Sequence, residues 1–188
     1  MRFVGIDPST KTGLVALDEK GNVLRQKELT GIGDVDPYRM RTLIHEVKDH
    51  VRPDDVVCIE GFGFASQQAV QNGGIGWGMR MMLDARRIAY YEPAPNQVKK
   101  FVGASGGNRG KTDKQKKDAM ATAVMEHFNF EHNSHNVVDA YVLAQVARHL
   151  YFKERSIDLI LHKYQSEVLQ AILNPPEKKK KPRKKVAQ

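Results

Sequence analysis

The sequence predicts an α/β domain in which a five-stranded sheet is flanked by helices, followed by an extra C-terminal helix and a basic tail. Its 188 residues are enough for one such domain and a short appendage. Strand-like and helical patterns occur in the order three strands, helix, strand, helix, strand, and the remainder is helical. Hydrophobic residues make up 40% of the chain, so it can bury a core.

The strand predictions rest on short apolar runs bounded by turn residues. Residues 55–60 are nearly all apolar, as expected of a strand that is covered on both faces. Pro93 and Pro95 follow the fifth run and end it. The predicted strands are residues 2–7, 13–18, 22–29, 55–60 and 88–91.

The helix predictions rest on apolar residues at helical spacing and on capping residues. Asp36 followed by Pro37 has the pattern of an N-cap and a first turn. Thr112 begins a capping-box pattern, and Asn133 or Ser134 can cap the next helix. The predicted helices are residues 37–51, 66–87, 112–128, 134–151 and 154–173.

These elements define three parts of the chain. The α/β domain is expected to span residues 1–152, and the amphipathic C-terminal helix is expected to lie within residues 153–174. Residues 175–188 are nearly all charged or proline, so they have no means of forming a core and are expected to be disordered.

Cysteine usage and hydropathy limit the compartment. The single cysteine, Cys58, lies in an apolar run, which excludes a disulfide scaffold and fits a reducing cytosol. No apolar stretch approaches the ~20 residues that span a bilayer. The first residues run directly into a strand pattern, with no signal peptide ahead of it. We therefore expect a soluble, cytoplasmic protein.

The net charge of +8 is concentrated in two places. Residues 177–188 hold seven Lys or Arg and one Glu, so the other 176 residues carry only +2. Within those, residues 97–118 hold seven basic and two acidic residues. This asymmetry suits a polyanion held against an acidic, metal-binding centre. A solvated helix face and a solubilising tail would give the same pattern.

Three carboxylates stand where packing alone does not predict them. Asp7 ends the first predicted strand, Glu60 ends the fourth, and Asp139 lies in a helix that is otherwise nearly all apolar. A carboxylate that faces an apolar interior is costly unless a cation compensates it. A divalent metal would explain all three, and hard oxygen ligands favour Mg²⁺ or Mn²⁺. Taken singly, Asp7 could cap a turn and Glu60 could pair with a buried arginine.

Four segments in this order carry a family resemblance: residues 5–9 with 12–13, residues 59–60, residues 95–100 with 103–114, and residues 139–140. Over about residues 2–152, the chain resembles the RuvC-type Holliday junction resolvases. The resemblance implies an RNase H-like mixed sheet ordered 3-2-1-4-5, a homodimer, two Mg²⁺ ions per active site and paired nicks across a four-way DNA junction. Asp7, Glu60 and Asp139 fall on the family's metal-binding carboxylates.

One departure from the family concerns a fourth metal-site residue. The family has an Asp, sometimes a His, one helical turn before its last Asp, where this chain has His135 and Asn136. Both can face the same side of the helix as Asp139. We expect His135 to take part in catalysis, because asparagine is a poor substitute for a carboxylate. The alternative for His135 is a surface histidine at a helix N-terminus.

The resemblance also indicates DNA-binding residues. The family has an aromatic residue three positions after the Glu, where this chain has Gly63. The flanking Phe62 and Phe64 can enter the crossover instead, or they are core residues. The predicted basic contacts are Lys99, Lys100, Arg109, Lys111 and Lys114. The tail should add salt-sensitive, non-specific affinity.

The predicted function is metal-assisted hydrolysis of DNA phosphodiester bonds at four-way junctions, with no membrane partner and no small-molecule cofactor. A compact resolvase of this kind suits the cytoplasm of a bacterium or of a phage-infected cell. Two alternatives remain. The chain could bind junctions without cutting them, because the fourth acid is missing. Residues 5–7 with 12–13 also resemble the first phosphate loop of actin-like ATPases and sugar kinases, which need a second such loop and a longer chain.

Overall fold

The computed structural model describes residues 1–63, 68–104, 112–157 and 159–175, without the side chains of residues 113, 114, 116 and 117. Three predicted DNA-binding residues, Phe64, Arg109 and Lys111, lie outside the described residues, as does the side chain of Lys114. Residues 176–188, which hold the basic tail, lie outside them as well. No helix in the described ranges is long and apolar enough to cross a membrane.

A five-stranded mixed sheet forms the centre of the fold, with the strands in the order β3-β2-β1-β4-β5. The strands are β1 (Phe3–Asp7), β2 (Thr12–Leu17), β3 (Val23–Leu29), β4 (Val56–Ile59) and β5 (Tyr90–Tyr91). β1 pairs antiparallel with β2 and parallel with β4, and β4 pairs parallel with β5. The strand order that the resemblance implies is therefore confirmed.

Helices cover both faces of the sheet. They are α1 (Tyr38–His50), α2 (Ala69–Ala85), α3 (Pro95–Phe101), α4 (Asp113–Phe128), α5 (His135–Glu154) and α6 (Lys163–Leu173). The core on one face joins β-strand residues to α5, α4 and α6, and the core on the other face joins them to α1 and α2. Thr112 and Ser134 cap α4 and α5, as the sequence predicts.

Helix α1 begins one residue later than the capping pattern predicts. Tyr38 is its first residue and Pro37 takes the N-cap position without a side-chain cap. The Asp36 carboxylate is engaged elsewhere: it accepts hydrogen bonds from Arg39, at 3.1 and 3.0 Å, and from Gln71, at 2.6 Å. An ion pair with Arg39, in the first turn of α1, and a hydrogen bond from Gln71 of α2 stand in place of the expected side-chain cap.

Two further helices differ from their sequence patterns. α3 was not predicted, because its first residue, Pro95, also fits the end of a strand; here Pro95 opens the helix, a position that tolerates proline. α6 begins at Lys163 rather than near Glu154, because α5 continues to Glu154 and ends where Ser156 adopts a positive φ of 54°. Ile160, which fits the apolar face of a longer helix, is fully exposed.

Helix α5 lies against the sheet backbone to backbone. A Cβ atom at Gly5 would lie 2.0 Å from the carbonyl oxygen of Ala140, and one at Gly13 would lie 1.9 Å from the carbonyl oxygen of Asn136. Only glycine permits this approach at both crossings. The contact with Ala140 brings the preceding residue, Asp139, to the end of β1.

Candidate active site

Two of the predicted carboxylates stand at the same edge of the sheet. Asp7 is the last residue of β1 and is 8% exposed, and Glu60 directly follows β4. Because β1 and β4 are parallel, their carboxyl ends lie side by side. The pairing continues to this point: the Glu60 amide donates a 3.0 Å hydrogen bond to the carbonyl oxygen of Ile6.

Asp139 completes a cavity of about 490 Å³ that all three carboxylates line. β1 supplies Asp7, the residue after β4 is Glu60, and α5 supplies Asp139 from above the sheet. Lys99, from α3, lines the same cavity. Residues that are far apart in sequence therefore form one acidic site with a nearby positive charge.

The electrostatics of the site suit a cation. Burial and the negative charge of Asp139 raise the pKa of Glu60 to about 7, and Lys99 opposes this shift. Throughout the described part of the chain, no group of three or more His, Cys, Asp or Glu side chains already has the spacing of a metal site. The donor set nevertheless fits a hard divalent ion, because carboxylate oxygens are its preferred ligands and a cation would relieve the repulsion between Glu60 and Asp139.

Solved structures share this arrangement of strands and helices. Thermus thermophilus RuvC in complex with a Holliday junction substrate aligns with a TM-score of 0.61 and 17% identity, over 84% of this chain and 97% of that one. The chain has the RuvC fold. A further Thermus thermophilus RuvC structure aligns with a TM-score of 0.54 and 17% identity, over 84% of this chain and 98% of that one. No protein-family model matches the sequence, and no curated protein matches it significantly.

Sequence reasoning missed one residue that supports the site on this RuvC fold. Arg80 of α2 is 3% exposed and lines the cavity. Its guanidinium donates to the carbonyl oxygens of Gly76 (2.9 Å) and Glu60 (2.8 Å) and pairs with Glu92 at 3.1 Å. A buried arginine does contact Glu60, but it binds the carbonyl oxygen of Glu60. The signal for Arg80 was a lone arginine in an apolar helix.

Aromatic side chains form another wall of the cavity. Phe62 is half-buried, and its ring centroid lies 5.2 Å from that of Trp77. The guanidinium carbon of Arg80 lies 4.2 Å from the centre of the Phe62 ring. Phe62 was a predicted DNA contact, and it does line the cavity. Trp77 was not predicted, since its spacing within α2 carries no local signal for a site.

The fourth metal-site residue that the family resemblance implies has two candidates on α5, His135 and Asn136. Neither His135 nor Asn136 is among the described residues that line the cavity. The Asn136 amide donates to Glu28 at 3.3 Å, and the hydroxyl of Ser134 also donates to Glu28. Viewed down the axis of α5, Asp139 lies about 60° from Asn136, and His135 lies about 100° from Asn136 in the same direction. His135 is therefore nearer than Asn136 to the direction of Asp139, by about 40° against about 60°. The role of His135 stays a prediction.

The described basic residues are divided between the cavity and the surface. Lys99 lines the cavity, whereas Lys100 forms a 2.7 Å ion pair with Glu167 of α6. α6 is also joined to α3 by a 3.1 Å hydrogen bond from Gln165 to the carbonyl oxygen of Phe101. The last helix therefore packs against the element that carries both lysines.

Proposed function

We propose that this chain is a metal-dependent endonuclease that resolves four-way DNA junctions. The observation that carries the proposal is the cavity that Asp7, Glu60 and Asp139 line together, on a fold that RuvC also has. RuvC in one of the aligned structures is bound to a Holliday junction substrate. An acidic cavity beside basic residues is the arrangement that metal-assisted cleavage of a polyanion needs.

The proposed roles follow from position and charge. Asp7, Glu60 and Asp139 would hold Mg²⁺, or Mn²⁺ in its place, and the family resemblance implies two ions. Bound there, the metal would supply Lewis-acid activation of water and charge stabilisation at the leaving 3′ oxygen. Lys99 balances charge in the same cavity and suits a phosphate contact. Arg80 fixes the main chain of Glu60 and so orients its carboxylate.

The proposed substrate requires two active sites. Hydrolysis of one phosphodiester at one site cuts one strand and leaves a 5′ phosphate and a 3′ hydroxyl. A four-way junction is resolved by two symmetric cuts, so a two-fold homodimer is the matching assembly. Lys100, Arg109, Lys111, Lys114 and the basic tail are the proposed contacts to the DNA arms.

A binding module without catalysis is the second candidate. The observation that favours it is that three carboxylates, and no fourth, line the cavity among the described residues, while Asn136 contacts Glu28 instead. Such a module would bind junctions in the same cleft but would leave their phosphodiester bonds intact.

One experiment separates these functions. An end-labelled four-way junction and a linear duplex of matched sequence are incubated with the full chain in Mg²⁺, Mn²⁺ or EDTA. We expect paired, symmetric nicks in the junction with either metal and none with EDTA. Tight binding without cleavage in both metals would favour the binding module. Equal cleavage of the duplex would overturn junction selectivity.

A further inference from the structure

Helix α6 packs on α3, the short helix that lines the cavity. Val168 and Leu169 of α6 are buried in the same hydrophobic core as Val98 and Phe101 of α3. The family resemblance ends near residue 152, before α6 begins. What α6 contributes to the site therefore has to be derived from its own contacts.

One polar side chain of α6 is buried in this contact. Gln165 is 5% exposed, and its amide nitrogen donates a 3.1 Å hydrogen bond to the carbonyl oxygen of Phe101. Its amide oxygen accepts a 3.0 Å hydrogen bond from the main-chain nitrogen of His162, the N-cap of α6. Because both ends of the amide are engaged, the side chain is fixed in one orientation and joins the first turn of α6 to the last turn of α3.

The carbonyl oxygen of Phe101 needs a donor from outside its own helix. α3 has seven residues, and the carbonyl groups in the last turn of a helix have no intrahelical partner. The carbonyl oxygens of Lys99 and Lys100 accept main-chain hydrogen bonds of 3.0 Å within the turn that follows α3. Phe101 accepts from Gln165 instead, and a buried carbonyl group left without a donor is unfavourable.

The position of α3 decides where the Lys99 side chain lies. Val98 and Lys99 line the cavity together with Glu60. A helix of one or two turns has little stability by itself, so its contacts with the rest of the protein hold it in place. A contact that fixes the end of α3 therefore also fixes the distance between Lys99 and the acidic residues.

A second polar link joins the two helices at the surface. Lys100 pairs with Glu167 of α6 at 2.7 Å, but the two side chains are 41% and 48% exposed. An ion pair this open to water contributes little to stability. The buried hydrogen bond from Gln165 is therefore the stronger polar link between α6 and α3.

We propose that Gln165 is a positioning residue for Lys99: its hydrogen bond to Phe101 holds α3 where the Lys99 ammonium meets a phosphate of bound DNA. This rests on the proposed function, because the phosphate belongs to DNA in the cavity. Gln165 is not among the described residues that line the cavity. It acts through the helix and does not touch the substrate.

A double-mutant cycle in EDTA tests this link. Binding of a labelled four-way junction to the full chain is measured by anisotropy at several salt concentrations. Lys99→Met removes one phosphate contact, so the slope of log affinity against log salt concentration should become shallower by about 0.9. Gln165→Met removes the donor and should reduce the slope by a similar amount, and the double variant should show no further loss. Additive losses would mean that Gln165 acts independently of Lys99 and would overturn the proposal.

Gln170→Met is the matched control, because Gln170 is an exposed glutamine on the same helix. Its junction affinity and its salt slope should equal those of the parent. Thermal melting of each variant is recorded in the same buffer, and binding is compared below every transition. A folded Gln165→Met variant with the parental slope would show that the apolar contacts of α3 suffice to place Lys99, and would overturn the proposal.

Cleavage separates failure of this inference from failure of the proposed function. In Mg²⁺, Gln165→Met should slow junction cleavage about tenfold at saturating enzyme, and it should have no further effect in a chain that carries Lys99→Met. Cleavage by the parent with an unchanged rate for Gln165→Met would overturn the positioning role and leave the proposed function intact. A parent that neither cleaves nor prefers junctions would count against the proposed function, while the same salt-slope cycle on duplex DNA would still test Gln165.

Hydrogen exchange of the parent tests the link without any substitution. The exchange of amide groups in α3 and α6 is followed as the urea concentration rises. We expect the amides of α3 to be no better protected than those of α6, because release of α6 removes the bond that holds α3. Higher protection in α3 than in α6 would show that α3 keeps its place without α6 and would overturn the proposal, whatever the variants do.

Discussion

Asp139 lies close enough to Glu60 for its negative charge to add to burial in raising the pKa of Glu60 to about 7, while Lys99 opposes the shift. The ordinary value for this group is 4.5, so the folded protein binds this proton more tightly than the unfolded chain does. The protonated Glu60 carboxyl therefore makes its full contribution to the free energy of unfolding below pH 4.5, and this contribution is lost as the pH rises through about 7.

Without divalent metal, Glu60→Gln should remove this pH dependence. Relative to the variant, the parent should lose on the order of 3 kcal/mol of unfolding free energy as Glu60 ionises. Urea denaturation in EDTA across this pH range measures the difference. Glu131→Gln is the control, because Glu131 is exposed. A parallel pH profile for parent and Glu60→Gln would contradict the raised pKa of Glu60, to which burial contributes most and Asp139 next.

Each of the three carboxylates should be needed for cleavage but not for junction binding. Asp7→Asn, Glu60→Gln and Asp139→Asn keep side-chain size and remove the charge that a cation requires. Cleavage and anisotropy assays on one junction measure the two effects. Mg²⁺ should raise the melting temperature of the parent and not of the variants. A variant that cleaves at the parental rate would remove its residue from the site.

Gly5→Ala should destabilise the fold by at least ~2–3 kcal/mol, because its Cβ would meet backbone atoms of α5 at 2.0 and 2.4 Å that cannot turn aside. Gly73→Ala is a sharp contrast: nothing lies within 4 Å of its Cβ position, and alanine favours a helix by about 1 kcal/mol. Denaturant unfolding of both variants checks this. Equal stabilities would mean that α5 does not contact β1 through its backbone.

His135→Ala should raise the Mg²⁺ concentration needed for half-maximal cleavage about tenfold, if His135 stands in for the family's fourth acid. Asn136→Ala is the matched comparison, because among the described residues its amide contacts Glu28 and does not line the cavity, so the change should leave that concentration unchanged. Calorimetric titration with Mn²⁺ gives a readout that does not depend on cleavage. The reverse result, with Asn136→Ala impaired and His135→Ala normal, would transfer the role to Asn136.

Deletion of residues 175–188 should weaken binding to duplex and to junction by similar factors. The deleted segment holds seven Lys or Arg and no aromatic residue, so it can release counterions but cannot stack on bases. The slope of log affinity against log salt concentration should become shallower for both DNAs. A loss confined to the junction would show that the tail distinguishes branched DNA.

Local sequence patterns were enough to predict most of the strands and helices. The apolar runs predicted the five strands in order, and hydroxyl caps located the starts of α4 and α5. Asp7, Glu60 and Asp139 were visible because a charge at the end of a buried strand or within an apolar helix conflicts with its neighbours in the chain. That conflict is a local signal, and it can be read without knowing the fold.

Which side chains contact each other depends on how distant segments pack together. Asp36 had the pattern of a cap, but its carboxylate pairs with Arg39 of α1 and, once α2 has packed beside it, also with Gln71. Arg80 and Trp77 join the acidic cavity because α2 packs against the residues that follow β4, where Gly76 lets the Phe62 ring approach the helix, and no spacing in the sequence encodes that contact. Asn136 contacts Glu28 of β3 because α5 packs closely on Gly13 of β2, the residue that pairs with Glu28. Local pattern fixes the conformation of a segment, whereas packing between distant segments fixes the partners of its side chains.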